Sequence, residues 1–235
     1  MNKFRFESII IALGLFFLGL FIYWGLDAIA QGERVVSVRG LAEKEVKADH
    51  VIWPIVYETS HDDMMQLYND INKKDEIIKN FLKENGINLN DLTVSAPDIT
   101  DRLNYNSYNE NKGKRKRFTG RSVLTISTKN VDAVIKLIPR MVELLKEGIV
   151  ITKENYYDSI EFEFTSLNDI KPEMIEKATL NAREAAEKFA SDSKSELGKI
   201  RNATQGLFSI ESRDQYTPYI KNVRVVTSVE FFLES

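Results

Sequence analysis

Cysteine is absent from the 235 residues, histidine occurs only twice and proline five times. The missing thiol excludes disulfides, thiolate metal centres and cysteine nucleophiles together. It leaves the redox compartment open, because a thiol-free chain folds on either side of a membrane. GxSxG, HExxH, a Walker loop and GxGxxG are all missing too. Without them there is no nucleophile elbow, zincin helix, phosphate loop or dinucleotide fingerprint. A serine-histidine-acid set built from residues distant in the chain is the enzymatic arrangement left open. An excess of positive charge is also lacking: 32 Lys and Arg face 35 Asp and Glu, for a net charge of -3. A nucleic-acid binder is usually basic, so this balance counts against that class. The expectation is a non-enzymatic protein with no cofactor and no metal.

Charge is missing altogether from Ser8 to Leu26, a run of 19 residues. As a helix this run spans about 28 Å, close to the hydrocarbon thickness of a bilayer. Lys3 and Arg5 precede it, which keeps the amino end in the cytoplasm and sends the remainder across. Tyr23 and Trp24 sit where an interfacial aromatic belt belongs. Two readings stand. One is a permanent signal anchor. The other is a signal peptide cleaved near Ala30, since Ala28-Ile29-Ala30 has the small-x-small form. The length of the apolar run, with Trp24 and Asp27 close to that cleavage site, favours the anchor. The expected layout is a cytoplasmic end over residues 1–7, a membrane segment over 8–30 and an extracytoplasmic domain over 31–235. This makes a single-pass protein of the inner (cytoplasmic) membrane, working in the periplasm or cell envelope.

The remaining stretch of about 200 residues is the size of one large domain or two small lobes. Strand patterning covers 34–60, with Pro54 predicting an edge position or a bulge. A helix is expected over Asp62–Asn85, capped by Ser60, with a stripe of Leu67, Tyr68, Ile71, Ile78, Phe81 and Leu82, and Gly86 just past its end. A strand (Leu92–Ile99), a polar stretch (Thr100–Arg117) and a strand (Phe118–Thr128) follow. A second helix, Val131–Glu147, carries Val131, Val134, Ile135, Ile138, Met141, Val142 and Leu145, and Pro139 should kink it. One bent strand or a strand pair is expected over Ile149–Phe164. A long third helix over Pro172–Leu197 has a stripe of Ile175, Ala178, Ala182, Ala185, Ala186, Phe189 and Ala190, and ends at Gly198. Strands over Ala203–Glu211 and Val223–Leu233 close the chain. The fold class is α+β: a mixed or antiparallel sheet packed with three main helices.

The run from Ala178 through Ala182-Arg183, Ala185-Ala186 and Lys188 to Ala190, then Leu197-Gly198-Lys199-Ile200 and the closing strand, resembles the SIMPL-domain family (DUF541). The opening Val36-Ser37-Val38-Arg39-Gly40 and the exit at Gly86-Ile87 match the same pattern, so the likeness covers 34–235. Ala42, where the family usually has a second glycine, and the long basic loop around Asn104–Arg117 are departures. The resemblance implies an exported α+β domain, often a homo-oligomer, with some members forming ring-like or channel-like assemblies and some linked to oxidative-stress tolerance. It implies no catalytic residues.

Several polar groups invite a chemical reading. His61-Asp62-Asp63 has metal-ligand residue types, but neighbours on a helix start do not converge on one point. His50 has no partner at a ligand spacing. Glu161 and Glu163 alternate with Ile160, Phe162 and Phe164 and read as the solvated face of a strand. The basic run Lys112, Lys114, Arg115, Lys116 and Arg117, near Tyr105 and Tyr108, is the sharpest local feature. It offers a contact for polyanions such as anionic lipid headgroups or envelope polymers, set against the plainer reading of a solvated hairpin tip.

Overall fold

The computed structural model describes residues 12–24, 34–102, 116–152 and 159–234. In chain order these form α1 (residues 12–24), β1 (Val35–Lys47), β2 (His50–His61), α2 (Met64–Glu84), a 3-10 turn (Leu89–Asp91), β3 (Leu92–Val94) and β4 (Asp98–Asp101). After these come β5 (Phe118–Thr128), α3 (Val131–Leu137), a 3-10 helix (Ile138–Glu147), β6 (Glu161–Glu163), α4 (Leu167–Asp192), β7 (Glu196–Gln205), β8 (Ser209–Ser212) and β9 (Ile220–Glu234). The fold is α+β with antiparallel sheets. The chain divides into two compact units. One holds the chain up to Ala42 with Glu173–Phe208 and Val225–Ser235; the other holds Glu43–Pro172 and Ser209–Arg224.

The second unit is built on the sheet β3–β5–β2–β6, with β4 also on β5. The register of β2 on β5 runs unbroken from Val51 opposite Thr128 to His61 opposite Phe118, straight through Pro54. The expected bulge is therefore absent. Nor is β2 an edge strand: on the side away from β5 it pairs with β6 at His50–Ile52, and further along that side the Val56 carbonyl accepts from Thr152. Residues two apart in a strand point the same way, so the donor that Pro54 lacks belongs to that side. Alternation divides the strands, with Val56 on the opposite face buried as well. Val51, Trp53, Ile55, Tyr57, Leu124, Ile126 and Phe162 enter one core with Ile78 and Leu82 of α2 and Val131, Val134 and Leu137 of α3. His50, Ile52 and Pro54 point to the opposite face.

Three helix expectations change here. Asp63, not Ser60, caps α2, accepting from the Gln66 amide at 3.0 Å. Ser60 is still in β2, where its hydroxyl meets that of Thr119 at 2.9 Å. Tyr68 lies exposed rather than in the stripe. The expected kink at Pro139 is a change of helix type. Without an N–H to complete the α-helical bond, the chain tightens to 3-10 winding from Ile138. The period drops from 3.6 to 3.0 residues, so Leu144 turns inward while Ile138, Val142 and Leu145 face outward.

Leu92–Ile99 breaks into β3 and β4 around Pro97, both paired with β5. Of Ile149–Phe164, the described part contains an isolated bridge from Ile151 to Tyr57 and the short β6.

In the first unit β9 lies between β1 and β7. Val36 and Ala42 from β1 and Val225, Val229 and Phe231 from β9 are buried. Against them α4 buries Met174, Ala178, Ala182, Ala186 and Ala190, a single ridge at four-residue spacing. Ala185 and Phe189, expected in that stripe, lie to one side of the ridge and are exposed. The helix starts before Pro172 and stops at Asp192. Lys194 turns the chain at φ 58°, and Glu196 already belongs to β7. Gly198 is thus a strand residue, not a helix stop. The expected strand Ala203–Glu211 is β7 and β8, separated at Gly206, whose amide donates to Val226.

Of the expected membrane segment, residues 12–24 are helical, and 8–11 and 25–30 lie outside the described residues. Among the described residues no helix is long and apolar enough to cross a membrane.

Candidate functional site

The outward face of the second unit's sheet brings together three residues from three strands. His50 lies directly opposite Glu163 across β2 and β6, and Ile52 lies opposite both Glu161 and Ser127. Direct partners share a face of the sheet and diagonal ones remain within reach of long side chains. The imidazole bridges the gap: His50 Nδ1 is 2.9 Å from Glu163 Oε2, and His50 Nε2 is 3.1 Å from Ser127 Oγ. Ser127 is exposed, whereas His50 is largely covered. A hydroxyl on one imidazole nitrogen and a carboxylate on the other is the arrangement in which a carboxylate fixes the tautomer and the free nitrogen can take a proton.

The surroundings are polar on one side and apolar on the other. Burial lowers the pKa of Lys221, and the charges of Glu161 and Glu163 oppose that fall. Asp49, next to His50, accepts from the Thr165 amide at 2.7 Å, the Thr165 hydroxyl at 3.0 Å and the Ser166 amide at 2.9 Å. Burial raises its pKa, but these bonds outweigh that and hold the carboxyl below its ordinary value. They tie the segment leading into α4 to the turn before β2. Ile52, Pro54 and Val123 lie along the same outward face, with Ile52 opposite Glu161 and Pro54 opposite Thr125.

A second polar group is internal. Tyr57 donates to Asp75 Oδ1 at 2.7 Å and is 3.0 Å from the Ile71 carbonyl, and Ser122 donates to the same Asp75 oxygen at 3.0 Å. All three side chains are buried. Burial, then the Asp75 carboxylate, pushes the phenol well above its usual value near 10. No spacing motif marks this group. The signal is the placement of Asp75, four residues after Ile71 and three before Ile78, inside the apolar stripe of α2. Nearby, Asp70 accepts from Thr59, pairs with Lys74 at 2.9 Å and faces His61 Nε2 at 3.4 Å. Burial raises its pKa, and the Thr59 and Lys74 bonds more than offset that. These groups tie α2 to the sheet and lie away from the outward face.

His61, Asp62 and Asp63 diverge: His61 turns to Asp70, Asp62 to Lys116, and Asp63 caps α2. Among the described residues no cluster could hold a metal ion. Of the basic run, Lys112, Lys114 and Arg115 lie outside the described residues. Lys116 is bonded to Asp62. Arg117 grips Asp101 at 2.9 Å and stacks on Phe118 with its guanidinium 4.5 Å from the ring centre. Arg117 thus closes the β4–β5 stem, and Lys116 ties the approach to β5 to the turn after β2. Glu163, read as merely solvated, is the partner of His50.

The family model described as SIMPL, protein of unknown function (DUF541), matches residues 36–229. No curated protein matches the chain.

Proposed function

From the premise that this chain belongs to the SIMPL (DUF541) family, we propose that it is a membrane-tethered extracytoplasmic protein that acts by association with itself or a partner. One observation carries the tether. Leu13, Leu15, Phe16, Phe17, Leu18, Phe21, Ile22, Tyr23 and Trp24 of α1 are all half or more exposed. Covering such a side chain is worth about 1.5–3 kcal/mol each. A helix apolar on every face calls for an apolar environment all round, and a bilayer supplies one. The described thirteen residues span about 20 Å. The uncharged run in the sequence extends from Ser8 to Leu26. Lys3 and Arg5 then hold the amino end in the cytoplasm.

Association is supported by β7. Among the described residues it is the last strand of its sheet, and nearly all of its ten residues are exposed. Such an edge carries backbone groups that can pair with another chain. The reading is tested by expressing the whole chain with a reporter fused after Ser235. Activity of a reporter that works only outside the cytosol, with the protein retained in carbonate-washed membranes, is expected. Activity of a cytosol-only reporter would overturn the topology. Release by carbonate would overturn the anchor in favour of cleavage near Ala30.

A further inference from the structure

The outward face of β2, β5 and β6 supports a reading that goes beyond tethering and does not depend on it. We propose that Ser127 is a nucleophile, with His50 as its base and Glu163 as the positioning residue, and that it accepts acyl groups from carboxylic esters. Three features of the structure converge on this. The hydrogen bonds run in the required order, Ser127 Oγ to His50 Nε2 at 3.1 Å and His50 Nδ1 to Glu163 Oε2 at 2.9 Å. Glu163, through Nδ1, sets the tautomer that leaves Nε2 free to accept a proton. The serine is exposed while the imidazole is mostly covered, so an incoming ester reaches the hydroxyl first.

The strands also hold the three groups in place. His50 and Glu163 are direct register partners, and Ser127 faces Ile52 two residues along. The geometry is therefore set by the ladder, not by a loop. The substrate class follows from the neighbours. Ile52, Pro54 and Val123 form a largely apolar strip on the same face, which starts beside Glu161 at Ile52 and runs past Thr125 away from Glu163. An uncharged ester with an apolar acyl chain fits that strip, and an anionic acyl group would meet the carboxylates.

In the step itself Ser127 Oγ bonds to the ester carbonyl carbon and passes its proton to His50 Nε2. The ester C–O bond then breaks, and the leaving alkoxide takes that proton from the imidazolium. Water, with its proton going to His50, cleaves the acyl-serine and releases the acid, regenerating the hydroxyl. No oxidant or metal enters the balance.

The test uses the full-length protein in mild detergent with a fluorophosphonate probe, in which Ser127 would displace fluoride from phosphorus. Peptide mass spectrometry is expected to find the adduct on Ser127 and none after Ser127→Ala. His50→Ala is expected to slow labelling by roughly a hundredfold, the usual worth of a positioned base, and added imidazole should restore part of it. Glu163→Gln should slow labelling, and Glu163→Asp should recover more of it than Gln does. p-Nitrophenyl hexanoate should release one rapid equivalent of nitrophenolate, ahead of p-nitrophenyl succinate. Circular dichroism of each variant shows that it is folded. Adducts scattered over many serines, or labelling of Ser127 unchanged in folded His50→Ala, would overturn the proposal. Loss of membrane retention would leave this result untouched, so the two readings fail separately.

Discussion

A Cβ atom placed on Gly40 would lie 1.8 Å from the Ala178 carbonyl oxygen and 2.5 Å from the Ala182 amide nitrogen. The backbone of β1 thus passes directly under the backbone of α4, and any side chain would force them apart. Gly40→Ala should cost about 3 kcal/mol or more, at the upper end of overpacking effects, because backbone cannot step aside as a side chain can. Urea unfolding of the full chain in detergent measures it. Gly86→Ala, at φ 83° but with open space around it, should cost only about 1–2 kcal/mol.

The Thr227 hydroxyl is buried in β9 without a hydrogen-bond partner among the described residues. Thr227→Val keeps the shape and the β-branch and removes the unmet group. It should stabilise the protein by about 1 kcal/mol, visible as a higher urea midpoint with an unchanged slope.

Tyr57 is expected to behave in two ways. Tyr57→Phe removes a buried bond to Asp75 and leaves that carboxylate with one fewer donor, costing about 1–3 kcal/mol. The phenol is also raised in the folded state by burial and by Asp75. Its stabilisation is therefore complete below the ordinary tyrosine value near 10 and is lost as the pH climbs above it. A spectrophotometric titration should show one tyrosine ionising only as the protein unfolds in alkali, and that step should vanish in Tyr57→Phe.

Acid stability rests partly on Asp49 and Asp70, whose carboxyls lie below their ordinary value in the folded protein. A lowered carboxyl stabilises the fold above the unfolded value near 4 and ceases to do so as the pH falls below it. Asp49→Asn should flatten the loss of stability below pH about 4. It should cost about 1 kcal/mol at neutral pH through weaker bonds to Thr165 and Ser166. Thermal melts across pH 3–7 decide this.

Much of the fold was legible because it is local. Period-two patterning located β1, β2, β5 and β9, and Gly86 marked the end of α2 by its need for positive φ. The failures have physical causes. Ser60 and Asp63 are both good caps, and pairing of β2 as far as His61 decided between them. Pro139 predicts a disturbed helix, but only the packed structure shows that 3-10 winding answers it and turns Val142 and Leu145 outward. Spacing predicts the four buried alanines of α4, yet which neighbours share their ridge depends on how narrow the contact with the sheet is.

The candidate site was the least legible part. His50 is 77 residues from Ser127 and 113 from Glu163, so no spacing motif could join them. Composition, charge pattern and hydrophobic period sufficed for the α+β class, the family likeness and the uncharged run at the amino end, because each is a property of nearby residues. Which strand lies beside which, and hence which imidazole meets which hydroxyl and carboxylate, was decided only by sheet pairing. Register is a relation between distant segments, and a shift of one residue would have turned His50 into the core.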